Sequence, residues 1–150
     1  MIIKSTADLV KDELPIEQEA MVIPEDGGAV SGLAPTEPNT QITEMIKESE
    51  SMARLFCEKK LPVMVFLDSH HPGKPENPYP PHCLVGTPES NLVPALEWLD
   101  KEPNVTIRRK DCFDGFLGSI QEDGSNVFVD WVAKNAITSV KIIDLSPLYE

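Results

Sequence analysis

No stretch of this chain is apolar for the roughly 20 consecutive residues that a membrane span needs. Charges at Lys4, Asp8, Lys11, Asp12 and Glu13 also break up the first twenty residues before the apolar core of a signal peptide could form. Cysteine is scarce: Cys57, Cys83 and Cys112 make an odd count, without the dense, regular spacing of a secreted disulfide scaffold, so a reducing cytosol is the expected setting. Cationic residues are few. Lys and Arg number 13 against 25 Asp and Glu, and the net charge of -12 would repel phosphate backbones and anionic membrane surfaces, which excludes nucleic acid and membranes as expected partners. No internal repeat is visible. What is present is an apolar fraction of 41% in 150 residues, enough for one core and one domain.

Residues 21–39, MVIPEDGGAVSGLAPTEPN, are interrupted by Pro24, Gly27, Gly28, Gly32, Pro35 and Pro38, so residues 1–39 are expected to form an irregular or disordered lead, with the domain in residues 40–150. From Thr40 the apolar positions Ile42, Met45, Ile46, Met52, Ala53, Phe56 and Cys57 recur at helical spacing, with Glu44, Lys47, Glu48 and Glu50 on the other side. Lys59 and Lys60 suit the negative end of that helix dipole, and Pro62 follows. Val63 to Leu67 is then wholly apolar, as expected of a strand covered on both faces of a parallel sheet. Thr87–Pro88 reads as the start of a helix whose apolar face is Leu92, Val93, Leu96 and Leu99. Val105 to Arg109 reads as a strand, Ser125 as the cap of a helix carrying Val127, Phe128, Trp131 and Val132, and Ser139 to Ile143 as another strand. Alternating helices and strands predict an α/β fold, an open, mostly parallel sheet with helices on its faces and ligand groups at the carboxyl ends of the strands.

Asp68 and Lys110 both fall at such ends. All three histidines, His70, His71 and His82, lie just beyond Asp68, so one carboxylate and two imidazoles could meet around a divalent metal, a donor set suited to zinc and also to iron. Spacing alone leaves a second reading open, in which a polar loop carries histidines by chance and Asp68 caps a turn. Glu76 is read as a solvated loop charge rather than a further ligand. Lys110, after Arg108 and Arg109, reads on its own as part of a solvated basic run.

The stretch FLDSHHPGKPENPYPPHCLVGTPESNLVPALEWL, Phe66 to Leu99, resembles the metal-site segment of the plant nicotinamidases in the isochorismatase-like cysteine hydrolase family; Asp-x-His followed by PPHC-x-x-GT is a specific pattern. RRKDCFDGFLGSIQEDGSNVFVDWV, Arg108 to Val132, is similar to the family's next block. The AP-x-x-x-N-x-Q-I run from Ala34 to Ile42 matches too, so the likeness extends over most of residues 33–143. The resemblance implies an isochorismatase-like, Rossmann-like three-layer fold. It implies a divalent metal, zinc ahead of iron or manganese, held by Asp68, His70 and His82, with Lys110 as the catalytic lysine beside a nucleophilic thiol. The implied reaction is hydrolysis of nicotinamide to nicotinate and ammonia through a thioester, a step of NAD salvage.

Two parts of the family pattern have no counterpart in this reading. The family's first strand, an apolar run ending in the catalytic aspartate, should precede Ala34, where only PEDGGAVSGL, Pro24 to Leu33, stands; Asp26 precedes two glycines and does not take that role. The nucleophilic cysteine should follow a later strand, and the sequence holds no cysteine after Cys112. Neither Cys83 nor Cys112 is assigned its role. The expectation is an incomplete domain that is inactive by itself. The alternative is a non-catalytic fragment that binds metal or associates with a full-length relative as a homo- or hetero-oligomer.

Overall fold

A computed structural model describes residues 19–25, 40–74 and 80–143. Through these the chain runs β1 (Glu19–Glu25), α1 (Thr40–Glu58), β2 (Val63–Asp68), a 3₁₀ turn (Pro88–Ser90), a longer 3₁₀ segment (Pro94–Lys101), β3 (Val105–Lys110), another 3₁₀ turn (Leu117–Ser119), α2 (Val127–Lys134) and β4 (Ser139–Ile142). The strands form one sheet in the order β3-β2-β1-β4, and every pair is parallel. The open parallel α/β sheet expected from the alternation of elements is the fold observed.

β2 is the strand on which both layers close. All six of its residues are buried, and alternation sends Val63, Val65 and Leu67 to one face and Met64 and Phe66 to the other. On the first face they join Met21 of β1 and pack under Ala53 and Phe56 of α1 and Leu92, Leu96 and Leu99 around the long 3₁₀ segment. On the second face they join Ala20 and Val22 and meet Trp131 of α2, with Phe128, Val132 and Ile137 alongside. The second layer is the thinner one.

α1 ends where the basic pair predicted, by a specific device. Lys60 takes a left-handed conformation (φ 57°), its N–H bonds Cys57 O at 2.9 Å, and the N–H of Leu61 bonds Phe56 O at 2.9 Å. This is a Schellman motif, which satisfies carbonyls the helix leaves unpaired. α2 ends the same way, with Ala136 at φ 50° and Ile137 N–H on Val132 O at 3.0 Å.

Three expectations are corrected. Against the expectation of an irregular lead over residues 1–39, with no strand before Ala34, Glu19–Glu25 forms β1 between β2 and β4; residues 26–39, Asp26 included, lie outside the described residues. Pro24 argued against an interior strand. It is tolerated because β4 pairs with β1 only over Glu19 to Val22, and alternation of the ladder turns the Pro24 nitrogen toward that side, past the last paired residue. Thr87 does not cap a long helix: its hydroxyl donates to Leu84 O at 2.7 Å, and Pro94 starts a separate 3₁₀ segment at its own first position. The cap of α2 is Asn126, whose side-chain oxygen accepts from the N–H groups of Phe128 and Val129, while Ser125 bonds Asp123 instead.

Both left-handed cap residues carry a Cβ where glycine is preferred, so Lys60→Gly and Ala136→Gly should each stabilise the fold by roughly 0.5–1 kcal/mol. Urea unfolding midpoints should rise in both variants; a fall in either would contradict this account of the helix ends.

Candidate active site

Asp68 ends β2 and Lys110 ends β3, and the two are partners in register. Parallel pairing therefore sets their side chains on one face of the sheet, at its carboxyl edge. Lys110 Nζ donates to Asp68 Oδ1 and to the Cys112 carbonyl at 3.1 Å. Both residues are almost wholly enclosed, at 4% and 7% exposure. A lone charge buried to this degree is costly, and each of these two groups offsets the other. The solvated-run reading of Arg108 to Lys110 thus fails for Lys110, while Arg109 is exposed and Arg108 half-buried. Arg108 donates twice to Gly118 O, at 3.0 and 2.8 Å, Arg109 donates to Ser90 O and Asn91 Oδ1, and Lys110 is internal.

Beyond Asp68 the chain continues the ladder for a few residues. Ser69 N–H bonds Lys110 O at 2.8 Å, His70 N–H bonds Cys83 O at 2.9 Å, and Val85 N–H bonds His70 O at 3.0 Å. The proline-rich excursion therefore returns as a short extended segment beside His70, which places His82 against it with ring centroids 4.6 Å apart. Asp68, His70 and His82 are all buried, and one donor atom from each lies within 4.8 Å of the others. A carbonyl only accepts, so the 2.8 Å contact of His82 Nδ1 with Pro80 O puts the proton on Nδ1 and leaves the Nε2 lone pair for a metal ion. Ligand bonds of roughly 2.0–2.2 Å hold the donors of a tetrahedral ion about 3.5 Å apart. The cluster closes to that spacing by ring movements on the order of 1 Å, so two imidazoles and a carboxylate fit a divalent cation of the zinc type.

The other sequence candidates stand outside this group. The His71 side chain is largely exposed, and its Nδ1 bonds Asp111 Oδ2 at 2.9 Å. Glu76 lies outside the described residues. Cys83 is buried with its backbone left-handed at φ 43°, and Cys112 turns its Sγ to Asp114 O at 3.3 Å.

Two residues of the site were not read from the sequence. Gly118 lies over Lys110 so closely that a Cβ there would stand 2.6 Å from Lys110 Cβ and 3.3 Å from Cys112 Sγ. Asp111 faces His70, His71 and Lys74 together. Burial pushes the Asp111 carboxyl up, but the hydrogen bonds from Lys74 and His71 outweigh it and hold it at about 2. The signal available for either was only a glycine between Leu117 and Ser119 and an acid beside the candidate lysine.

No family model matches the chain. It is 46% identical over 154 residues to nicotinamidase 1 of Arabidopsis thaliana, across 92% of this chain and 63% of that protein, so it spans a little under two thirds of that relative's length. Among solved structures, an N-carbamoylsarcosine amidase from Thermoplasma acidophilum matches with a TM-score of 0.67 at 18% identity, over 85% of this chain and 67% of that one. The nicotinamidase PncA from Bacillus subtilis matches with a TM-score of 0.65 at 24% identity, over 85% and 70%. A pyrazinamidase of Pyrococcus horikoshii, solved in complex with zinc, matches with a TM-score of 0.55 at 18% identity, over 85% and 70%. Likenesses at these identities show a shared fold.

The close approach over Lys110 is testable by Gly118→Ala. The added methyl meets a side-chain root fixed by β3 rather than a flexible tip, and the cost should be about 1–3 kcal/mol, read as a lower urea midpoint; an unchanged midpoint would mean that the turn shifts freely and does not hold Lys110.

Proposed function

On the premise that the chain belongs to the isochorismatase-like hydrolase family, related in sequence to a plant nicotinamidase, we propose that its site is a metal centre for nicotinamide. Asp68, His70 and His82 would hold a divalent ion, zinc ahead of iron or manganese, and Lys110 would be the lysine of the reaction. The observation that carries this reading is the convergence of three buried donors at the carboxyl end of the strand next to Lys110. The bound metal would supply a Lewis-acid contact for the ring nitrogen of the pyridine and so orient its carboxamide.

The chain's own residues divide the rest of the work. Lys110 would carry an ammonium to the enclosed carboxyl edge of the sheet, where in the family's reaction it would favour the thiolate of the nucleophilic cysteine and steady negative charge developing on the amide. Hydrolysis of nicotinamide to nicotinate and ammonia then needs a thiol to attack the amide carbon, form the thioester and release ammonia, and a water to cleave that thioester. Neither Cys83 nor Cys112 is assigned the nucleophile's role: Cys83 is buried beside the metal loop, and Cys112 turns its sulfur to Asp114 O. Removing the nucleophile from a cooperating set costs on the order of 10⁶ in turnover. The 150 residues by themselves are therefore proposed to bind the metal without turning over the amide. The reaction would belong to NAD salvage in the cytoplasm, a setting that three cysteines outside any disulfide suit.

A second reading rests on the surface. Phe113, Phe116, Leu117 and Ile120 are exposed beside the site, and Val140 and Ile142 are exposed on β4, whose outer edge has no strand beside it among the described residues. Apolar exposure of this extent favours a fragment that pairs with a full-length relative or with its own copy.

Titration of the purified chain with zinc should give about one ion per chain, abolished by Asp68→Ala or His82→Ala and weakened less by His71→Ala; equal loss in all three, or no uptake by the parent, would sink the metal assignment. Ammonia release from nicotinamide by the zinc-loaded chain should stay at background. Turnover comparable with that of an intact relative would overturn the inactive reading.

A further inference from the structure

Asp111 begins the turn after β3 and has more partners than its place suggests. Its Oδ1 accepts the backbone N–H of His71 at 3.1 Å and stands 3.5 Å from His70 Nδ1. Its Oδ2 meets His71 Nδ1 at 2.9 Å and Lys74 Nζ at 2.9 Å. One carboxylate therefore ties the end of β3 to the loop that leaves β2, and faces the ring of a proposed metal ligand from behind. His70 Nε2 lies on the opposite side of that ring, 3.9 Å from Asp68 Oδ2.

We infer that Asp111 is a positioning residue for the metal centre: it holds the proton of His70 on Nδ1 and turns Nε2 toward Asp68 and His82, as the Pro80 carbonyl does for His82. The inference rests on the metal reading of the site for its purpose, though not for its geometry. An ionised carboxylate can only accept, so the ring nitrogen facing it is the protonated one, and the other keeps its lone pair. Acceptors behind a ligating imidazole fix its tautomer and orientation and raise its basicity, and losing one typically weakens metal binding by 10–100-fold. The backbone bond to His71 adds a second constraint, because it anchors the peptide that joins His71 to His70 and so limits rotation of the His70 Cα–Cβ bond relative to the sheet. Lys74 bonds Oδ2, the oxygen that also meets His71, whereas His70 faces Oδ1, which makes Lys74 the control.

The test uses the full chain with ¹⁵N-labelled histidine, metal-free and near neutral pH, where long-range ¹H–¹⁵N spectra read the tautomer of each ring. In the parent, His70 and His82 should both carry the proton on Nδ1. In Asp111→Ala, His70 should shift toward the Nε2–H form while His82 stays as it was, and zinc affinity should fall by roughly 10–100-fold; in Lys74→Ala neither should change. A parent His70 protonated on Nε2 overturns the inference without recourse to any variant. So does an Asp111→Ala protein with an unchanged His70 signal and zinc affinity, or a Lys74→Ala protein with equal losses, which would reduce Asp111 to a loop tie. If the tautomers are as stated but the parent takes up no zinc, the metal reading fails and the ring-positioning role of Asp111 stands.

Discussion

The structure depends on one buried contact, the pairing of Asp68 with Lys110 at the matched ends of β2 and β3. The carboxyl edge of a parallel sheet is where chain segments diverge, and here one divergence carries His70 and His82 while the other carries Asp111 and Gly118. Because the two strands end in register, both segments start from fixed points a strand spacing apart. Neither charge would tolerate burial alone. Together they let the edge close over itself, with Gly118 pressed against Lys110 and its carbonyl held by Arg108.

That closure shapes the chemistry the site can offer. Asp68 divides its carboxylate, with Oδ1 on Lys110 and Oδ2 toward His70, so the ion pair and the candidate metal cluster share one residue. The imidazoles are backed by acceptors on their outer sides, a backbone carbonyl for one and Asp111 for the other. A cluster assembled this way presents nitrogen and oxygen lone pairs inward, and the neutral sum of Asp68 and Lys110 leaves room for the charge of a cation.

The rest of the fold is uneven around this edge. The face under α1 and the long 3₁₀ segment is well filled, whereas the face under α2 relies on Trp131, Phe128 and a few neighbours, and β4 is exposed along its length. Several of the bare apolar residues, Phe113 to Ile120, Val129 and those on β4, lie around the thin layer, while Leu55 and Val85 stand elsewhere. The domain's chemical edge is thus more completely built than the layer that supports it from below.

Much of this was legible from residue order alone. The unbroken apolar run of β2, the helical spacing of α1 and the polar residues set directly after strands are local patterns, and local periodicity encodes which face is buried. The sequence by itself determined the α/β class, α1 and its end, the strand-end positions of Asp68 and Lys110, and the family likeness. It did not determine β1, because Pro24 and the flanking glutamates argue against an interior strand unless the short reach of β4 is known. Nor did it determine the cap at Asn126, the break at Pro94, the burial of Lys110, the fit of Gly118 or the ties of Asp111. Those were decided by tertiary structure, since each depends on register and contact between segments far apart in the chain, and pairing of that kind leaves no trace in the spacing of neighbouring residues.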